Sequence, residues 1–425
     1  MYHKEKLVNG LNLITVPIKN TRAVSILVLV PVGSRYETKK INGSTHFIEH
    51  MMFKGTKKRP NNFLLSRELD ALGAEYNAFT SKDMTAYWIK LDKDYLDKGV
   101  EIISDMLFHS LFNEKEFERE RGVIIEEIKM YEDNPMMYID TLFEETVFGN
   151  SPLGWPISGR IDDIKNLALQ QLLSFKSKFY FLENMLMVVS GDFRKDSLVK
   201  LLKGHFLPPA KKSLKKGFKK HSFLSQHAPK LEILNKKSQQ VQLAIGFPAY
   251  SCHHKNINAL TLLSIILGGN MSSRLFSEIR VKRGLAYAIR ADLSVYQDTG
   301  LFSVQAGVDK NKLDEAIKVI LEELVKVKRA GVSREELSRV KTFFAGKLSL
   351  DLEDSASMAS WYGRQELLIG KTLTPEQKIK MINKINGNVI NQVAKDVFRA
   401  DKLCAAVIGE SVDRPKLLSI LRAGL

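Results

Sequence analysis

The sequence predicts an α+β protein of two homologous domains, each a mostly antiparallel sheet covered on one face by helices. Three observations lead there. The chain has 425 residues, more than a single hydrophobic core usually serves. Apolar strand-like runs at 23–32 and 241–247 alternate with longer helical patterns at 64–72, 115–130 and 313–329, a mixture that layers helices on sheets. The two halves also repeat one another in order, as a duplicated domain would.

The repeat is visible residue by residue. Asp92-Lys93-Asp94-Tyr95-Leu96-Asp97 leads into Val100, Ile102 and Ile103, and Asp309-Lys310-Asn311-Lys312-Leu313-Asp314 leads into Ile317, Val319 and Ile320. Each reads as an amphipathic helix opening at a strand end. Upstream, Gly73-Ala74-Glu75-Tyr76-Asn77-Ala78 parallels Gly284-Leu285-Ala286-Tyr287-Ala288. Each half closes on an apolar strand ending in Gly and an acid, Met187-Val188-Val189-Ser190-Gly191-Asp192 and Ala405-Ala406-Val407-Ile408-Gly409-Glu410. Between the halves, Pro208-Pro209 precedes a lysine-rich run at 211–220, which reads as a solvated linker. The expected division is 1–210, a basic linker at 211–222, and 223–425.

Composition narrows the function classes. With 44% hydrophobic and 26% charged residues the chain reads as globular and soluble. Its longest apolar runs, 25–32 and 259–267, are about half the length that spans a bilayer. Met1-Tyr2-His3-Lys4-Glu5 leads straight into strand-like sequence without a secretory signal. Cys252 and Cys404 are the only cysteines, which suits a reducing compartment and a cytoplasmic location. The net charge of +16 is read as solubility. No nucleic-acid-binding signature accompanies it, and no P-loop or G-x-G-x-x-G suggests nucleotide use.

Chemistry concentrates in His46-Phe47-Ile48-Glu49-His50, an H-x-x-E-H pattern. On a helix His46 and His50 project from one face and can share a divalent metal, with Glu49 beside them to take a proton from water. Ser44 and Thr45 are expected to cap this helix and Gly55 to end it. A catalytic zinc takes three protein ligands. Candidates for the third are Glu120, Glu126 and Glu127, on a helix capped by Asn113. Glu120 and Glu127 lie two turns apart on one face, so one can bind metal while the other supports it. The corresponding stretch of the second half, 264–268, has no metal ligands. Cys252-His253-His254 sits between a strand and a helix with no partner motif, and is set aside as a second site.

Residues 46–50 followed by Met51-Met52-Phe53-Lys54-Gly55-Thr56 resemble the pitrilysin and mitochondrial-processing-peptidase family of zinc metallopeptidases, in its short bacterial-type form. Further matches are Asn77-Ala78-Phe79-Thr80, the stretch from Glu120 to Glu127, Gly191-Asp192, and Ser273-Arg274-Leu275-Phe276 through Arg280 and Tyr287, so nearly the whole chain is covered. The resemblance implies one Zn2+ per chain on His46, His50 and Glu127, with Glu49 as catalytic base and Glu120 as a supporting acid. Glu126 competes with Glu127 if the register shifts by one. Asn77, Ala78 and Phe79 would lie on the edge strand that pairs with extended substrate. Arg280 and Tyr287 would reach the substrate backbone from the second domain. Thr45 departs from the family's usual Ala.

The implied function is a zinc-dependent endopeptidase that cleaves peptides or unfolded segments bound as an added β-strand, through zinc-activated water. The implied assembly is a homodimer enclosing a chamber. The alternatives are the catalytic subunit of a heterodimer that needs an inactive homologue, and a non-enzymatic peptide-binding subunit. No nucleic acid or membrane span is expected.

Overall fold

The computed structural model describes residues 2–207, 217–223 and 226–424. The first half of the expected basic linker, 211–216, lies outside them. Contacts group the chain into two compact units. One comprises Met1–Ile128, Pro156–Lys219 and Ser349–Thr374, and the other Lys129–Trp155, Lys220–Leu348 and Pro375–Leu425. Each unit therefore draws on both halves of the sequence.

The first unit is built on strands β1 (His3–Lys6), β2 (Asn12–Pro17), β3 (Ala23–Val30), β4 (Glu75–Thr80), β5 (Thr85–Asp92) and β6 (Leu186–Gly191). They run in the order β1-β2-β6-β3-β5-β4. Only β2 and β6 pair in parallel; the other neighbours are antiparallel. Strand β3 is apolar except for Ser25 because both its faces are covered. Val24, Ile26, Val28 and Val30 face the main core, while Leu27 and Leu29 face a second cluster.

Helices α1 (Ser44–Met51), α2 (Asn62–Ala71), α3 (Leu96–His109), α4 (Glu114–Asp133), α5 (Pro135–Phe148), α6 (Ile161–Asn166), α7 (Leu169–Phe179) and α8 (Lys195–His205) complete the first half of the sequence. Most of them cover one face of this sheet. Helix α5 instead belongs to the second unit. It packs Ile139, Leu142, Phe143 and Val147 against Ala244, Ala406 and Ile408 there.

The second sheet has the order β7 (Lys230–Leu234), β11 (Cys404–Ile408), β8 (Val241–Ala249), β10 (Gly300–Val308) and β9 (Ala286–Val295). It reproduces the first from β2 onward, including the single parallel pair, β7 with β11. The repeated motifs land on equivalent places. Asp92 and Asp309 each accept a hydrogen bond from the backbone amide two residues on, opening α3 and, in this unit, α10 (Leu313–Ala330). Gly73 and Gly284 take left-handed φ angles of 60° and 58° just before the edge strands β4 and β9. Helix α9 (Ile257–Gly268) covers this sheet with α10, α11 (Arg334–Asp351), α13 (Pro375–Asn383), α14 (Gly387–Val397) and α15 (Arg414–Ala423). Cys252 and Cys404 are both free thiols. Among the described residues no helix is long and apolar enough to cross a membrane.

The remaining helix, α12 (Ser355–Ile369), comes from the second half of the sequence and packs on the first sheet, on the face away from α1. Ser25 on β3 meets Ser355 through a buried hydroxyl pair at 2.8 Å. Gly363 lets the helix lie close: a Cβ there would stand 2.6 Å from Leu29 Cδ1 and 3.0 Å from Val188 Cγ2. Gly363→Ala would raise helix propensity by about 1 kcal/mol, but overpacking a filled interface costs about 1–3 kcal/mol. The overlap is with buried strand residues, so the loss wins. We expect Gly363→Ala to lower the thermal unfolding midpoint, by about 1 kcal/mol equivalent. An unchanged or raised midpoint in a calorimetric scan would show that this face has room.

Candidate metal centre

Helix α1 begins differently from the sequence expectation. Its N-cap is Gly43, with φ of 92°, and no side chain at that position caps it. Ser44 Oγ turns back to donate to Ile41 O at 2.7 Å. The cap comes from Glu37 instead. One of its carboxylate oxygens accepts from Thr45 N and Thr45 Oγ1, both at 2.6 Å, and the other from Gly43 N at 2.8 Å and Asn42 Nδ2 at 2.9 Å. A carboxyl group at a helix N-terminus accepts from N–H groups that have no partner within the helix. Burial pushes the Glu37 carboxyl up to about 7, against the lowering effect of those four hydrogen bonds. Gly43 also passes Ser158 and Ile164 too closely for a side chain. The helix ends at Met51, before Gly55.

Packing then sets α1 against α4. Phe47 and Phe117 are buried and stack with ring centroids 4.6 Å apart. Phe117, Glu120, Ile124 and Ile128 form the buried stripe of α4, so that stacked pair also brings Glu120 and Glu127 to the two histidines. His50 Nδ1 lies 2.8 Å from Glu120 Oε1. The other Glu120 oxygen pairs with Lys54 Nζ at 2.7 Å. With Nδ1 engaged, His50 Nε2 is turned to His46 Nε2 at 3.2 Å. Glu127 closes the group, its oxygens 3.8 Å from His46 Nε2 and 3.4 Å from His50 Nε2. Glu126, one residue earlier, is exposed.

This arrangement fits a divalent cation. One ligand atom from each of His46, His50 and Glu127 lies within 4.8 Å of the others. His46 Nδ1 is buried without a hydrogen-bond partner among the described residues, leaving the ring anchored only through Nε2. Two imidazoles and one carboxylate are a donor set of catalytic zinc, with a fourth position left for water. Glu120, hydrogen-bonded to His50 Nδ1, stands where an outer acid would orient a ligating imidazole. In the metal-free chain the histidines split. Burial, then the neighbouring His50, lowers His46 to about 4. Burial also works against a charge on His50, but hydrogen bonds to Glu120 and Glu127 raise it to about 9.

Glu49, beside His50 on α1, feels the charges of His50 and Glu127 and also reaches the sheet edge. Thr80 Oγ1, at the end of β4, donates to its Oε2 at 2.5 Å. Burial raises the Glu49 carboxyl, and the Thr80 hydrogen bond partly offsets that. Asn77, Ala78 and Phe79 lie on β4, the outermost strand of the sheet. The Ala78 N–H donates to Asn77 Oδ1 at 2.8 Å, which occupies one amide of that strand. Arg280 and Tyr287 meet each other in the second unit. The guanidinium lies 4.8 Å from the Tyr287 ring centroid and 4.9 Å from that of Phe276, with Arg280 on a π-helical turn (Phe276–Lys282) and Tyr287 exposed on β9. At the Cys252-His253-His254 segment, the His254 ring stacks on Tyr250 at 3.7 Å. Glu37 was not singled out from sequence, and Lys54 and Thr80 entered only within matched stretches, without a role of their own. Each acts through a partner far along the chain or in the adjoining loop, and no local pattern flags it.

Comparison with known proteins gives a consistent picture. The family model described as Insulinase (Peptidase family M16) matches residues 13–160, and Peptidase M16 inactive domain matches 166–344. The uncharacterized zinc protease YmxG of Bacillus subtilis is 34% identical over 399 residues, covering 94% of this chain and 96% of its own. A zinc protease of Rickettsia felis is 32% identical, covering 96% and 97%. The crystal structure of a protease from Helicobacter pylori superposes with a TM-score of 0.91 at 26% identity, covering 96% of this chain and 99% of that one.

Two outcomes are expected. Zinc must displace the proton that His50 holds well above neutrality, so binding near pH 7 releases about one proton. The release fades as pH rises past about 9, the value to which His50 is raised. Calorimetry in buffers of different ionisation enthalpy reads this number, and a value of zero would contradict the pairing described. The folded protein favours protonated Glu37, so this group's contribution is full below about 4.5 and is lost as pH rises through about 7. Glu37→Gln removes that dependence. Its stability deficit against the parent should be largest near pH 5 and shrink above pH 7; an equal deficit at both would contradict the assignment.

Proposed function

We propose that this chain, which belongs to the insulinase family of M16 peptidases, is a zinc metalloendopeptidase acting on peptides or unfolded segments. The observation that carries the reading is the junction of two features within one unit. His46, His50 and Glu127 converge at one point, and Glu49 on the same helix touches Thr80 at the end of an edge strand. A metal group and an open strand edge thus share one carboxylate.

His46, His50 and Glu127 would hold the zinc, with Glu120 orienting His50. A bound zinc supplies Lewis acidity towards a peptide carbonyl and brings the pKa of water near neutrality. Glu49 takes the proton from the attacking water and passes it to the leaving amine. Its raised carboxyl suits both transfers. The substrate adds as a strand beside β4, and backbone hydrogen bonds provide much of the affinity with little sequence demand. For that strand to pair, the Asn77 side chain gives up the Ala78 amide. By the family resemblance Arg280 and Tyr287 would serve the substrate backbone; within the second unit, stacking between two rings holds the guanidinium in place.

Homologous halves at 1–210 and 223–425, joined at 211–222, divide the labour between chemistry and shaping of the site. The second lacks ligands where α9 replaces α1. The full set of His46, Glu49, His50 and Glu127 favours an active enzyme over a binding subunit. Assembly as a homodimer and a cytoplasmic location complete the reading, the latter supported by two free thiols.

Glu49→Gln should retain zinc and lose turnover on a quenched unstructured peptide by at least about a hundredfold. Chelation should abolish the parent's activity. Full activity in the Gln variant, or indifference to the chelator, would overturn the reading.

A further inference from the structure

We infer that Arg364 is a substrate-recognition residue that pairs with an acidic side chain, Asp or Glu, of a peptide strand added at β4. The inference rests on the strand-addition reading above and adds a substrate class to it.

The argument starts from strand alternation. On β4, Tyr76 and Ala78 pack into the main core and Thr80 reaches Glu49, so these three face α1. Glu75, Asn77 and Phe79 face the opposite side, where Phe79 joins the cluster of α12. A peptide continuing this sheet alternates in the same way. Every second side chain would point towards the α12 face, away from the metal group.

One cation stands there unpaired. Arg364 projects from α12 with its guanidinium 5.6 Å from the Phe79 ring centroid, and among the described residues it forms no ion pair. The other cation of this hairpin face, Lys90, is taken by Asp354 at 2.8 Å and by Glu75 at 3.4 Å. Glu75 lies four residues from Phe79, roughly 13 Å along the strand. The Arg364 end of β4 is therefore positive, and the far end, with two carboxylates on one lysine, is net negative. Arg364 remains exposed, but its packed surroundings pull its pKa down, so a carboxylate would meet a cation that has already lost part of its hydration. The helix beneath is clamped: Trp361 Nε1 donates to Leu373 O at 3.0 Å, and Gln365 Oε1 accepts from Leu373 N at 3.1 Å. A planar guanidinium on a fixed helix can bind a carboxylate through two parallel hydrogen bonds. Phe79 adjoins Thr80, which touches Glu49, so the acidic residue falls within about two positions of the cleaved bond. The net charge of +16 adds long-range attraction for such peptides.

The test uses the full-length zinc-loaded chain and matched quenched peptides carrying Glu, Gln or Lys at each of the positions flanking the cleaved bond. In parallel, the Glu49→Gln variant is titrated with the same peptides by fluorescence anisotropy, so recognition is read even without turnover. The parent should favour Glu over Gln at one position by roughly tenfold to a hundredfold. Arg364→Met, which keeps an apolar stem over Phe79, should bring that ratio to about one, and Arg364→Glu should invert it in favour of Lys. No acidic preference at any position, or one that survives Arg364→Met, overturns the inference while leaving the peptidase reading intact. Binding with the predicted preference but without cleavage supports this inference and counts against the peptidase reading. Absence of both cleavage and peptide binding overturns the two together.

Discussion

The approach of two histidine ring nitrogens to 3.2 Å beside a glutamate is the constraint on which the rest of the first unit depends. Two imidazoles and three carboxylates in a half-buried place are costly unless each has a partner. The fold supplies these partners from four directions. Glu37 fixes the start of α1, the Phe47–Phe117 stack fixes its distance from α4, Glu120 fixes the tautomer of His50, and Lys54 balances Glu120. A buried ionic group then reinforces the loop after α1. Arg59 pairs with Glu101 at 2.6 Å, with Asp105 at 2.8 Å and with Glu68, and Thr56 donates to Asp105. The helix carrying the histidines is thus held at both ends by charge.

The duplicated plan explains why one half is free to bear this load. Each sheet exposes an edge strand, β4 or β9, introduced by a left-handed glycine. In the first, the edge ends at Thr80 beside Glu49. In the second, its second residue, Tyr287, lies beside Arg280. The second half's counterpart of α1 is apolar and buried through Leu260, Leu263 and Ile266, and so serves packing alone. One architecture therefore carries a polar centre in one copy and a hydrophobic core in the other, at the same position in the fold.

Much of this was legible in the sequence because it is local or periodic. The apolar run of β3 from Ile26 to Val30 follows from burial on both faces, the repeats at Asp92 and Asp309 are helix-opening turns, and the spacing of His46 and His50 needs nothing beyond one turn of helix. The expected edge strand and the expected α4 are present, with ends shifted by a residue or a few. What was not legible is set by distant contacts. Ser44 and Thr45 resemble caps by type, yet Thr45 acts as a donor to Glu37, eight residues upstream and across two tight turns. The crossing of α5 and α12 to the other half's sheet leaves no periodic mark, since each is merely a half-apolar helix. Arg364 is unremarkable in sequence; it matters only because α12 brings it over Phe79.

The central claim is that one zinc is held by two imidazoles and one carboxylate. Zinc K-edge X-ray absorption on the metal-loaded protein tests it most directly. The account predicts one zinc per chain in a nitrogen and oxygen environment at about 2.0–2.2 Å, with the multiple-scattering signature of two imidazoles. Sulfur scattering at about 2.3 Å, a single imidazole, or a chain that retains no zinc would contradict it.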